Sequence, residues 1–209
     1  MNVQEPKPRI SLMVFTRDLR ITDNPALSAS LKNTKTYCLF VFDDSLISGS
    51  RPPLNRLKFL KDSLQDLALS LKSIGGELII ASGKWADTVL DVAKKIHASE
   101  INIADDYSTY ATNRITNLEN YCAANKITLN KHPGISIVEP GVLAPTAGSE
   151  YKIFTPYFRK WINGDAKRFC LKQSNLGRPT TNSLFLKRVK IFFQSVLRVM
   201  AEKLVVAKR

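Results

Sequence analysis

Histidine and cysteine are scarce in this 209-residue chain, with two and three residues. His97 and His132 show no HExxH or paired spacing, and Cys38, Cys122 and Cys170 form no CxxC or Cys/His pattern, so no zinc site is expected. Odd in number and far apart, the cysteines read as buried reduced thiols. Long apolar runs are lacking too. Nothing approaches the roughly 18 residues of a transmembrane helix, and Met1–Arg9 is polar and proline-containing, unlike a signal peptide. A cytoplasmic protein without membrane contact is therefore expected. Also missing are GxGxxG, GxxxxGK[ST] and GxSxG, which argues against a conventional NAD enzyme, a phosphate-loop ATPase and an elbow-type hydrolase.

What is present is an ordinary globular composition, 44% hydrophobic and 23% charged, with an uneven charge. The net charge is +13, yet residues 1–150 carry 17 Lys+Arg against 16 Asp+Glu, whereas residues 151–209 carry 14 against 2. The last stretch therefore holds nearly all the excess. It reads either as a phosphate-neutralising segment or as a solvated basic tail.

Over the first 135 residues, short β-branched or apolar runs alternate with helix-period segments, the pattern of βαβ units. The expected strands are Ile10–Phe15, Thr36–Phe42, Glu77–Ala81, Glu100–Ala104 and, more weakly, Thr128–His132. Continuous runs such as Tyr37–Phe42 suit strands covered on both faces, so the fold class is α/β, a five-stranded parallel doubly wound (Rossmann-like) sheet. Asn24 as N-cap with Pro25 at the first position starts one helix reaching about Lys32. Leu57, Leu60, Leu64, Leu67 and Leu71 stripe a helix from about Leu54 to Ser73, stopped by Gly75-Gly76. Further helices are expected over about Ala86–His97 and Tyr110–Asn125, with Asn125 suited to the left-handed closing conformation. The segment from Gly134 to Glu150 is rich in Gly, Pro and small residues. The expected division is an α/β domain over 1–135, a connector over 136–165 and a basic remnant over 166–209.

In open parallel sheets ligands bind beyond the carboxyl ends of the strands, near the point where strand order reverses. The residues there are Thr16-Arg17-Asp18, Asp43-Asp44, Ser82-Gly83-Lys84 and Asp105-Asp106-Tyr107. A polar-rimmed crevice for a planar ring is the expectation. Arg17, Asp18, Arg20 and Asp23 also suit helix capping and ion pairing, and Asp106 suits capping of the fourth helix. Tyr107 suits either ring stacking or core packing.

The run Phe15-Thr16-Arg17-Asp18-Leu19-Arg20-Ile21-Thr22-Asp23-Asn24-Pro25-Ala26-Leu27 resembles the opening motif of the photolyase and cryptochrome family, with Thr16 where the family usually has arginine. Pro53-Leu54-Asn55-Arg56 with Phe59-Leu60 and Ser63-Leu64 resembles its second helix. Asp105–Tyr110 with Arg114 resembles its fourth strand end, and Tyr151–Trp161 its connector motif. The resemblance covers roughly Leu12 to Trp161. It implies an antenna chromophore held by Arg17, Asp18, Asp43, Arg56, Asp106 and Tyr107, with Arg56 and Asp106 flanking one crevice. Some folate-binding members place an acidic residue where Ser108 stands, and the antenna stays open among folate, deazaflavin and a second flavin.

By the same resemblance, the antenna feeds a reduced FAD that repairs pyrimidine dimers in damaged DNA. The FAD half, all helical, is expected to be missing here, and the chain to be a monomer inactive alone. Leu184–Val206 reads as apolar and basic, with an amphipathic helix for a partner or membrane surface as one alternative. With permissive codons, Arg198-Val199-Met200-Ala201-Glu202-Lys203 reread one base over becomes Gly-Asp-Gly-Gly-Glu, similar to a family segment, so a shifted reading frame is expected there. The alternatives are a cryptochrome-type photoreceptor, a free-standing α/β nucleotide-binding or electron-transfer module, and a basic nucleic-acid-binding module.

Overall fold

A computed structural model describes residues 9–33, 35–44, 54–136, 138–145, 148 and 150–163. The basic segment from residue 164 onward, with the Leu184–Val206 and Arg198–Lys203 readings, lies outside the described residues. The five strands are β1 (Ile10–Phe15), β2 (Lys35–Asp43), β3 (Leu78–Gly83), β4 (Glu100–Ala104) and β5 (Thr128–His132). They form one sheet in the order β3-β2-β1-β4-β5, and every pairing is parallel. The expected doubly wound sheet is present.

Alternation along the strands divides the core in two. Leu12, Val14, Leu39, Val41, Ile101 and Ile103 face α3 (Trp85–Lys95) and α4 (Thr109–Asn125), while Met13, Phe15, Cys38, Phe40 and Ile80 face α1 (Pro25–Ser30) and α2 (Leu54–Ser73). Both faces are covered, which is why β1 and β2 can be apolar along nearly their whole length. The leucine stripe of α2 holds, with Leu64, Leu67 and Leu71 buried.

Local signals set the element ends. Asn24 Oδ1 accepts from Leu27 N at 3.0 Å, the cap that starts α1. After α2, Gly75 takes φ 83° and Gly76 N donates to Leu71 O at 2.8 Å, closing the last turn. One expectation is corrected: α4 ends in the left-handed conformation at Lys126, φ 56°, not at Asn125. Asn125 stays helical because its side-chain amide donates to Tyr121 O at 2.7 Å. A second finding is α5 (Phe154–Asn163), a helix inside the stretch read as a connector.

A buried polar network crosses the α1 face of the sheet. Asn102 Nδ2 donates to Ser11 Oγ at 2.9 Å and to Glu100 Oε1 at 2.6 Å, and Asn33 Nδ2 donates to the same Glu100 oxygen at 2.8 Å. The Asn102 oxygen is left to His132 Nε2 at 2.7 Å, so that nitrogen carries a proton. The network ties β1, β4, β5 and the end of α1 together. Among the described residues no helix is long and apolar enough to cross a membrane.

Candidate ligand-binding site

The strand order reverses between β1 and β4. Chains leaving their carboxyl ends part to opposite sides, and a crevice opens between them. A cavity of about 300 Å³ lies there. Phe15 at the end of β1, Phe40 and Val41 of β2, Leu60 of α2 and Trp85 at the start of α3 give it apolar walls. Thr16, Arg17, Asp106, Ser108, Tyr110 and Arg114 add polar groups. Side chains from both faces of the sheet thus meet beyond its carboxyl edge. Apolar walls with a few polar groups suit a planar heteroaromatic ring.

Across the reversal point, Arg17 Nη1 donates to Asp106 Oδ2 at 3.1 Å. The pair is lopsided, since the Arg17 side chain is 63% exposed and that of Asp106 only 4%. Asp106 Oδ1 also accepts from Ser108 N at 2.9 Å. Desolvation alone would raise the Asp106 carboxyl, but its hydrogen bonds to Ser108 and the charge of Arg17 outweigh that and hold it below the usual carboxylate value. Asp106 is therefore an ionised acceptor near neutral pH. Capping of α4 falls to Ser108, whose Oγ accepts from Ala111 N at 3.4 Å.

The other expected site residues divide by position. Asp18 is buried and structural: it accepts from Thr16 N and from Asn24 Nδ2, both at 3.0 Å, bracing the turn that carries Arg17. Arg20 donates to Asp23 O at 2.7 Å and pairs with its carboxylate at 3.9 Å. Asp43 does not line the cavity but accepts a hydrogen bond from the hydroxyl of Tyr110, which does. Tyr107 neither packs in the core nor lines the cavity, and it is 41% exposed. Arg56 is exposed on α2 and does not line the cavity. It sits one helical turn before Leu60, which does.

Sequence reasoning did not assign Trp85, Tyr110 and Arg114 to the site. The Arg114 guanidinium lies 4.5 Å from the Trp85 ring centroid and 5.2 Å from that of Tyr110. Tyr110 and Arg114 are one turn apart on α4, the spacing that brings two side chains together. Trp85 arrives through Gly83, whose φ of 139° is open to glycine and lets β3 turn directly into α3. Looking two residues past the end of β3 would have found it. The thiols of Cys38 and Cys122 are pushed up by burial, to about 12 and about 11, the second also by Glu119. Among the described residues no group of His, Cys, Asp or Glu could hold a metal ion.

The sequence model of the family described as DNA photolyase matches residues 11–172. The chain belongs to the DNA photolyase family. A deoxyribodipyrimidine photo-lyase of Streptomyces griseus is 36% identical over 155 residues, covering 73% of this chain and 34% of that protein. Cryptochrome-1 of Arabidopsis thaliana is 28% identical over 154 residues, covering 73% and 23%. The crystal structure of a class III photolyase from Agrobacterium tumefaciens shares the fold, with TM-score 0.70, 22% identity, and coverage of 87% of this chain and 38% of that one. This photolyase-family chain spans about a third of the Streptomyces relative and corresponds to the amino-terminal domain of the family.

Proposed function

We propose that this chain is the light-harvesting domain of a deoxyribodipyrimidine photolyase. The observation that carries the reading is the cavity at the strand-order reversal, walled by Phe15, Phe40, Val41, Leu60 and Trp85 and bridged at its rim by Arg17 and Asp106. Its residues fit a planar chromophore of the folate, deazaflavin or flavin type: apolar side chains for the ring and an ionised Asp106 for a ring N–H. Asp18 and Asp43 support the rim through Thr16 and Tyr110. Arg56 and Tyr107 would meet the parts of the chromophore that extend out of the cavity. Bound there, the chromophore would supply absorption of near-ultraviolet or blue light. In this reading its excitation is passed to an FAD held by a separate helical domain, which repairs pyrimidine dimers in DNA. The protein would work in the cytoplasm, as a monomer on damaged DNA.

The purified chain, mixed with each chromophore and freed of excess, should keep a band in the near ultraviolet or blue. A colourless protein after all three would overturn the reading. Similarity to a plant cryptochrome over nearly the same length favours one rival, a photoreceptor. Joined to its FAD-binding half with reduced flavin, a photolyase should clear dimers only when illuminated; persistence of the dimers under light would favour the photoreceptor.

A further inference from the structure

We infer that Arg114 determines which ring the cavity accepts: the ring must turn an acceptor edge, a carbonyl or an anionic atom, toward this guanidinium. The inference rests on the reading of the cavity as a chromophore site. Arg114 lies in the second turn of α4, and its guanidinium is held over Trp85 and near Tyr110 at 4.5 and 5.2 Å. Those rings fix the side chain through their faces and accept none of its in-plane N–H bonds. Its Nε is buried without a hydrogen-bond partner. The ion pairs among the described residues are Arg17–Asp106, Arg20–Asp23 and Lys131–Glu119, so no described carboxylate lies within 4.0 Å of Arg114.

The neighbouring polar groups are engaged elsewhere. Asp106 accepts from Ser108 N and Arg17, Tyr110 donates to Asp43, Ser108 Oγ accepts from Ala111 N, and Thr16 Oγ1 donates to Asp18 at 3.4 Å. The guanidinium is thus a cavity-lining donor that no described acceptor or carboxylate holds and that a ligand can satisfy. A half-buried cation with open donors is costly beside an apolar ring, whereas an acceptor in its plane gains a charge-assisted hydrogen bond strengthened by low local dielectric. An apolar ring of the same shape would leave the donors unpaired and be rejected.

Lumiflavin, a bare flavin ring without phosphate or sugar chain, is the probe, bound to the full 209-residue chain. Affinity is read by fluorescence, and ring ionisation by absorption against pH. The parent chain should bind the dye and ease its ionisation. Arg114→Gln should weaken binding by roughly 10- to 100-fold and return ring ionisation to that of free dye. Arg114→Lys should retain the ionisation shift with part of the affinity. Leu60→Trp, which fills the cavity, should abolish binding. If Leu60→Trp blocks the dye but Arg114→Gln changes neither readout, the inference fails while the chromophore site stands. If Arg114→Gln does not fold, Arg114→Lys decides, and an unshifted ionisation there overturns the inference. Lumiflavin rejected by the parent chain overturns Arg114 as the reader of a flavin edge; rejection of folate and deazaflavin as well overturns the chromophore site itself.

Discussion

Two helices of similar length, α3 and α5, carry the same kind of pattern and meet different fates. In α3 the apolar face is buried, with Trp85, Ala86, Val89, Leu90, Val92 and Ala93 packed beneath it. In α5, Phe154, Phe158 and Trp161 also recur at spacings of four and three, yet no residue of the helix is buried. Its rings stack on one another instead, Phe154 on Phe158 at 5.5 Å and Phe158 on Trp161 at 6.1 Å. Amphipathic spacing states that a face needs a partner; it does not state which part of the chain supplies one. For α3 the partner is the sheet beside it. For α5 the described residues supply the Lys160 ammonium donating to Ala144 O at 2.5 Å and an edge-on contact of Tyr157 with Tyr151, ring centroids 5.7 Å apart.

The sharpest way to break this contrast is to truncate one aromatic from each helix. Trp85→Ala removes a ring that is 3% exposed and should cost about 3–5 kcal/mol in urea unfolding. A loss under about 1 kcal/mol would mean that α3 is no better anchored than α5. Next in size is Asn102→Ala, which leaves Ser11, Glu100 and His132 without their shared partner and should cost about 1–3 kcal/mol. An unchanged denaturation midpoint would show that the network contributes nothing.

Acid provides the third test. Burial lowers the His132 pKa below its ordinary value, with Lys32 acting in the same direction and Glu100 against them. The unfolded state therefore binds the proton more readily, and this contribution to stability is complete above about pH 6.5 and lost as pH falls toward the folded value. Unfolding free energy measured against pH should decline in that window for the parent chain and decline less for His132→Gln. Parallel curves would refute the assignment. The smallest effect is expected from Phe158→Ala, whose ring is 40% exposed: a change within about 0.5 kcal/mol. A loss comparable to that of Trp85→Ala would erase the distinction between the helices.

Much of the fold was legible because its signals are local. Asn24-Pro25, Gly75-Gly76 and the leucine stripe of α2 act within a few residues of one another, and each does what its chemistry predicts. Asn125 misled because a residue suited to a left-handed turn has a second option, bonding back to Tyr121 O, and the turn passed to Lys126. The site was legible only in outline. The strand-end rule located Arg17 and Asp106, but neither Tyr107, which it also singled out, nor Arg56, which the family resemblance added, lines the cavity.

By itself the sequence determined the α/β alternation, the five strands, the helix starts and stops, and the family resemblance, all carried by neighbours along the chain. Tertiary structure decided that β4 pairs with β1 and so put the reversal between Arg17 and Asp106. It also gathered Phe15, Phe40, Leu60, Trp85 and Arg114 around one cavity. Their separations follow no period, because strand order and packing, not spacing along the chain, bring such residues together.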